Sequence, residues 1–482
     1  MYKQDRAPLF EKMLEHSYQS KGNFHVPGHK QSKAFDPIAK PYFQPILQMD
    51  LTEIGELDDL HDPAGVIHEA QQLAAELFGA EDTFFLVGGT TAGIIASILS
   101  LCQPNDILIV QRSCHQSVFH GCLLAGARPV YLESDIDLQS GLEIPISPEE
   151  LERVLENYNE AKAVVITSPS YFGIVQPLKE IKRVCDQFKV PLVVDEAHGA
   201  HFSFHPDLPR SAMNCGADIS IQSTHKMLTA MTMSSMLHIQ GENISRSELK
   251  RWLRVIESSS PSYPLMASLD LARRDLALRG RDCIERTLNG LRWLRKKLLN
   301  LNCLHEVTMD VVQDPFKFVL RANKTISGYQ MADWLAKQGI YSELADHEKV
   351  LFCCSYAHDK EDFHNLYVKL KELDKFISDF NSNHVKSWPK FPKRGSSIYS
   401  LSDLKRGQNR KRVPLDEAIG QVSTEMVIPY PPGIPLVLPG EIFTYEVVSY
   451  LLHIKELGGK IRGVFESFTP EVYVLELNNT SK

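Results

Sequence analysis

The sequence predicts an α/β protein with a mainly parallel sheet in a large domain, a small α/β domain after it, and a C-terminal domain. Three observations carry this expectation. Seven short apolar runs recur between residues 83 and 239, several separated by amphipathic segments of helical length. Unbroken apolar runs alternating with such helices indicate strands covered on both faces. The chain has 482 residues, more than one core supports, since cores stop growing beyond roughly 250–300 residues. A second, shorter strand-and-helix series follows a long helical stretch. The implied division is an N-terminal arm over 1–60, a large domain over 61–305, a small domain over 306–380, and a linker and C-terminal domain over 381–482.

Residues 1–60 read as irregular, because Pro8, Pro27, Pro37, Pro41 and Pro45 leave no room for a long helix. An acidic, loop-like stretch follows from Gly55 to Pro63. Gly65–Phe78 then predicts a helix ended by Gly79, with Ile67, Ala70, Leu73, Ala74 and Leu77 on one face. The strand candidates are Thr83–Val87, Ile107–Gln111, Pro129–Leu132, Ala163–Thr167, Leu192–Val194, Ile219–Gln222 and Ser235–Ile239. Helices are expected at Ile94–Leu101, Pro148–Asn157 and Leu178–Phe188, then over Ser247–Leu301 with a break at Ser258–Pro264. The small domain is expected to hold strands Phe316–Leu320 and Val350–Cys354 and helices Gly328–Lys337 and Lys360–Phe380. A proline-bearing, basic connector over 381–412 leads to a turn-rich segment containing Pro429–Pro435 and Pro439-Gly440-Glu441.

Composition narrows the function. With 52 Lys+Arg against 60 Asp+Glu the formal charge is −8, which argues against a general nucleic-acid binder. No apolar stretch approaches the roughly 20 residues that span a bilayer, so no membrane partner is expected. Nine scattered cysteines without a C-x-x-C pair suit a reduced, cytoplasmic protein.

In open sheets of this kind ligands bind beyond the carboxyl ends of the strands, and the unusual residues cluster there. After the first run comes Gly88-Gly89-Thr90-Thr91-Ala92-Gly93, whose free N–H groups, hydroxyls and helix N-terminus suit a phosphate. It is not a Walker P-loop, for no G-x-x-x-x-G-K-[ST] occurs in the chain. After the fifth run comes Asp195-Glu196-Ala197-His198-Gly199-Ala200-His201. Without a Walker lysine, a nucleotide-site acid has nothing to serve. A zinc site of His198, His201 and His205 lacks neighbouring thiols or an H-E-x-x-H helix, so no metal is expected. The remaining reading is an aspartate that holds a cationic ring nitrogen. After the sixth run comes Ser223-Thr224-His225-Lys226, a lysine where burying an unpaired ammonium is costly. Phosphate turn, strand-end aspartate and strand-end lysine, in that order, form the layout that pyridoxal phosphate requires. His115, just after the second run, is placed to stack on such a ring.

Together these residues resemble the bacterial Orn/Lys/Arg decarboxylases, fold-type-I pyridoxal phosphate enzymes with an aspartate-aminotransferase-like core. The likeness extends over Phe24–Lys30, Asp58–Pro63, Gly89–Gly93, Arg112–Ser117, Ser168–Gly173, Asp195–His201, Ser223–Lys226, Ser258–Arg273 and Pro429–Glu441. The resemblance implies α-decarboxylation of a basic amino acid, with arginine or lysine preferred over ornithine, and polyamine supply as the expected role if arginine or ornithine is the substrate. It makes Lys226 the Schiff-base lysine, Asp195 the pyridinium partner, His115 the stacking ring, and His198 a neighbour of cofactor and substrate carboxylate. Thr90, Thr91, Ala92, Ser223 and His225 would contact the phosphate. Ser259 would reach the phosphate of a neighbouring subunit, implying a homodimer or a dimer of dimers. Lys226 and His198 are both candidates to protonate Cα, and Asp58, Asp59, Asp62 and Glu441 are candidates for the substrate's distal cation. The chain departs from the larger family members in starting too near the core to hold an N-terminal wing domain. It also carries Thr91 where many have serine, and Gln116 where many have lysine. Competing readings are transamination or aldol cleavage on the same fold, with Arg321 as a candidate carboxylate anchor, and a non-catalytic pyridoxal-binding protein.

Overall fold

The computed structural model describes residues 3–323, 326–379, 391–397, 410–430, 434–465 and 469–476. Most of the expected connector, and Pro431 to Gly433, lie outside the described residues.

Two short helices lie in the arm, expected to be irregular and without a long helix: α1 (Pro8–Gln19) and α2 (Lys40–Met49). Pro8 and Pro41 fall in first turns, where a helix has no use for the missing N–H, while Pro45 lies inside α2. Helix α3 (Val66–Phe78) ends as expected at Gly79, whose φ of +72° suits a residue without Cβ.

The large sheet comprises β1 (Asp82–Leu86), β2 (Ile107–Gln111), β3 (Arg128–Leu132), β4 (Ala163–Thr167), β5 (Leu192–Asp195), β6 (Ile219–Gln222) and β7 (Ser235–Ile239). Their spatial order is β1-β7-β6-β5-β4-β2-β3. Strand β7 runs antiparallel to both neighbours, and the pairs from β6 to β3 are parallel. Helices α4 (Gly89–Leu101), α5 (Gln116–Ala125), α6 (Pro148–Asn157) and α7 (Leu178–Gln187) make the crossovers, and the one-turn α8 (Thr224–Met227) follows β6. Side chains alternate across the sheet as a period of two demands. Leu108 and Val110 of β2 pack in one core with Val165 and Ile221, while Ile107 and Ile109 pack in the opposite one with Val164 and Val194. The register sets Thr167 opposite Asp195 and Asp195 opposite Ile221. The carboxyl ends of β4, β5 and β6 therefore finish side by side.

Helix α9 (Arg246–Ile256) and the 36-residue α10 (Tyr263–Leu298) flank the break at 257–262. A second sheet, order β10-β11-β9-β8, is antiparallel. It consists of β8 (Leu304–Glu306), β9 (Lys317–Ala322), β10 (Leu344–Ala345) and β11 (Lys349–Cys353), with α11 (Gly328–Lys337) and α12 (Lys360–Asp379) beside it. Strands β8 and β10 have three and two residues, too few for periodicity to reveal. In the C-terminal segment β12 (Arg410–Pro414) pairs with β15 (Glu471–Leu475), and β13 (Ile428–Tyr430) with β14 (Lys460–Arg462). With α13 (Tyr445–Glu456) they enclose a core around Phe443, Val447 and Leu451. All nine cysteines are free thiols. Among the described residues no helix is long and apolar enough to cross a membrane.

Candidate active site

The strand ends border a cavity of about 360 Å³ lined by Thr90, Thr91, His115, Asp195, His198, Ser223, His225 and Lys226, among others. At one end lies the N-terminus of α4. No side chain caps this helix, and Gly89 holds φ at +75°, so the N–H groups of the first turn remain open to a ligand. The Thr90 hydroxyl lies 2.5 Å from Ser223 Oγ and 3.2 Å from Ser235 Oγ, which ties the turn after β1 to the turn after β6. His225 Nδ1 lies 2.9 Å from the Ser234 carbonyl, fixing its ring beside that junction.

Asp195 holds its carboxyl out of water, whereas Lys226 is exposed to the open cavity. Lys226 Nζ stands 3.2 Å from His198 Nε2. Burial lowers its pKa, and the charge of Asp195 opposes that shift. Asp195 is 3% exposed and accepts from the Ala197 N–H at 3.1 Å; burial raises its pKa, against the pull of Lys226. A buried carboxylate with so little hydrogen bonding favours a cationic partner. His115 is the N-cap of α5, its Nδ1 accepting from Ser117 N–H and lying 2.9 Å from Ser117 Oγ. Burial, then the Lys226 charge, lowers its pKa to about 4, which leaves a neutral ring at neutral pH. His198 is likewise held neutral, by burial first and then by Lys317 and Lys226.

These residues fit pyridoxal phosphate. The open N–H groups of α4 and the Thr90–Ser223 hydroxyl pair would take its phosphate, Asp195 its ring nitrogen, His115 its face, and Lys226 its aldehyde. Sequence comparison points the same way. Residues 7–325 match the Orn/Lys/Arg decarboxylase major domain, and residues 400–476 match the C-terminal domain of those enzymes. The chain belongs to the Orn/Lys/Arg decarboxylase family. It is accordingly an amino-acid decarboxylase, a carbon–carbon lyase, with the fold-type-I architecture. Among its relatives, the Bacillus subtilis protein YaaO is 37% identical over 471 residues, covering 95% of this chain and 96% of that one. The arginine decarboxylase of Bacillus subtilis is 33% identical over 483 residues, with 98% of each chain covered. The constitutive lysine decarboxylase of Escherichia coli has the same fold, with a TM-score of 0.84 at 22% identity over 98% of this chain and 82% of that one.

Several sequence-based assignments need correction in the decarboxylase. Glu441 is not free for a substrate: it is buried against Arg112, 2.9 Å from Nη2, and also accepts the Leu438 N–H. Asp58 accepts backbone N–H groups of Ala64, Gly65, Ile67 and His68 at the start of α3, and Asp59 accepts from the His61 N–H. Neither these two nor Asp62 lines the cavity. Arg321 turns to the Gln139 and Ser140 carbonyls and to Glu348. Ala92 is buried behind the glycine turn and does not line the cavity; Ser259 is exposed and does not line this chain's cavity, which its expected place at a neighbouring subunit does not require. His201 pairs with Asp314 and His205 with Glu285, so the three histidines of the zinc reading turn to different partners. Glu196 faces away from the chemistry, accepting from Ala212, Ser220 and Gln222, with its pKa raised to about 7 by burial.

Three residues of the site escaped the sequence reading. Glu143 lines the cavity from a hairpin-like loop with no motif. Tyr171 packs its ring 4.5 Å from that of His198. Lys317 reaches His198 from strand β9 of the second sheet, Nζ to Nδ1 at 2.9 Å. Its one sequence signal was a charged residue inside the apolar run Phe316–Leu320.

Proposed function

We propose that this decarboxylase uses pyridoxal phosphate to convert a basic amino acid, arginine first among them, to the corresponding amine and CO₂. The observation that carries the reading is the meeting of Lys226, Asp195 and His115 at one cavity behind an uncapped helix N-terminus. When bound, the cofactor supplies a carbonyl that takes the substrate's amino group and a ring that accepts the electrons of the breaking carbon–carboxylate bond. The rest falls to the chain's own residues. Asp195, as an anion, holds a proton on the ring nitrogen and keeps the ring electron-poor. His115, uncharged, covers the ring face and keeps water from it. Lys226 anchors the cofactor between turnovers and, once released, is placed with His198 to deliver a proton to the substrate carbon.

Support for a basic substrate comes from the relatives, among them an arginine decarboxylase of Bacillus subtilis and a lysine decarboxylase of Pseudomonas aeruginosa. Against an aminotransferase stands Arg321, the small-domain arginine, which is engaged away from the cavity. We further read the working unit as a homodimer in which Ser259 serves the second copy's cavity. Phe24, Ile38 and Tyr42 leave 83% or more of their surface exposed, an apolar stretch suited to a partner surface. The direct test supplies the enzyme with pyridoxal phosphate and, separately, arginine, lysine and ornithine. CO₂ and agmatine from arginine are expected, and Lys226→Ala should release neither. A keto acid as product would replace this reading with transamination.

A further inference from the structure

Lys317 opens β9 at 4% exposure. Its Nζ lies 2.9 Å from His198 Nδ1, 2.9 Å from Cys353 Sγ and 3.7 Å from Met227 Sδ, and among the described residues it forms no ion pair with a carboxylate. An ammonium carries three N–H donors and no lone pair, and three acceptors surround this one. A buried cation without a carboxylate is costly, so its place against His198 calls for a use. The Lys317 N–H donates to Nδ1. In a neutral imidazole the remaining hydrogen then sits on Nε2, which faces Lys226 Nζ at 3.2 Å. For that contact to be a hydrogen bond, Lys226 must offer the lone pair of a free amine.

We propose that His198 is a proton bridge between two lysines, with the Lys317 ammonium as its donor end and the Lys226 amine as its acceptor end. The inference rests on the proposed role of Lys226. In the transfer, an Nζ hydrogen of Lys317 moves to Nδ1 while the Nε2 hydrogen moves to the Lys226 nitrogen. Imidazole stays neutral in its other tautomer, Lys317 becomes an amine and Lys226 an ammonium, so the single positive charge is conserved. Decarboxylation puts a proton where a carboxylate was, so each turnover takes one up; the bridge supplies it from the buried side of the cavity, where Lys317 and His198 lie. Lys317 does not line the cavity and is therefore a positioning residue that acts through His198. Other groups bear on the three members. Asp195, Glu343 and Cys353 act on Lys226, and His201 and His115 act on His198. Cys354 lies in the field of Lys317, and Asp314 near it is committed to His201 and the Phe316 N–H. The two lysine charges both lower the pKa of His198, and that of Lys317 lowers that of Lys226.

The test follows the pH dependence with which trinitrobenzenesulfonate labels Lys226 in the full-length, cofactor-free enzyme, quantified on the Lys226 peptide by mass spectrometry. Lys317→Gln keeps a donor for Nδ1 and removes the charge. The labelling midpoint should move up by about one pH unit, and Lys317→Arg should return it towards the unaltered value. An unmoved midpoint in folded Lys317→Gln overturns the proposal. Neutron diffraction from the unaltered enzyme needs no variant: deuterium on Nε2, none on Nδ1 and three on Lys317 Nζ are expected, and deuterium on Nδ1 overturns it. These hydrogen positions can be read even if the cofactor proves to attach elsewhere, so failure of the bridge and failure of the functional reading are separable.

Discussion

Arg112 is a full charge at a place water does not reach. Its guanidinium is fully buried, bonded to Glu441 through Nε and Nη2 and to the Pro435 and Leu436 carbonyls, with the rings of Phe119 and Tyr131 5.8 and 5.5 Å away. It stands three residues before His115, and its partners lie beside Ile434, which lines the cavity. One ion pair thus ties the C-terminal segment to the wall of the site. Glu441→Gln leaves Arg112 uncompensated and should lower stability by about 3–5 kcal/mol in urea unfolding. Unchanged stability with a raised KM would instead return Glu441 to the role of substrate anchor. The two glutamates show what a sequence hides at this scale. Glu441 sits in a recognisable Pro-Gly-Glu turn yet is spent on a long-range partner 329 residues away, whereas Glu143 has no motif and reaches the cavity. Lys226, Asp195, His115 and His198 were legible because each follows directly on an apolar run, where topology alone dictates the sheet end. Lys317 enters from the second sheet, and no local pattern encodes that approach.

Among the elements, α4 would hold the phosphate of the proposed cofactor, and its position depends on Gly93. A Cβ there would stand 2.7 Å from Leu86 Cδ1 and 3.0 Å from Ile221 Cγ2, so the helix lies directly on β1 and β6 because the residue has no side chain. Gly93→Val should destabilise by about 1–3 kcal/mol through overpacking. It should also weaken pyridoxal phosphate binding, because the helix N-terminus lifts away from Ser223; thermal melting and a cofactor titration measure the two effects. Melting without weaker binding would show that the helix keeps its aim. The strands and helices of the large sheet were readable from period and length, since buried parallel strands carry unbroken apolar runs. The arm was not, because a proline's effect depends on its place within a turn. The shortest strands of the small sheet were not either, since they exist only through pairing with longer neighbours.

At the scale of the whole molecule, two neutral histidines bear on stability in acid: His238, fully buried, and His115, which opens onto the cavity. His115 and His238 have pKa values lowered from 6.5 to about 4 and about 3, in both cases by burial first. Each binds a proton more readily unfolded than folded, so its contribution is full above pH 6.5 and is lost as pH falls through those values. Glu196 works in the opposite sense. Raised to about 7, its contribution is present below the ordinary carboxylate range and is lost as pH rises through about 7. The cofactor-free chain should therefore lose melting temperature from pH 6.5 to pH 4, and His238→Gln should flatten that slope. His238 lies outside the cavity, between Thr83 and Gln222, so the change reports burial alone. An unaltered slope would assign the acid limit to carboxylates instead.

The account as a whole depends on which amine meets the cofactor. Reducing the pyridoxal phosphate-loaded enzyme with borohydride and mapping the modified peptide identifies that residue directly. The label is predicted on Lys226. A label on Lys317, or on any lysine outside the cavity that Asp195 and His115 border, would contradict the assignment.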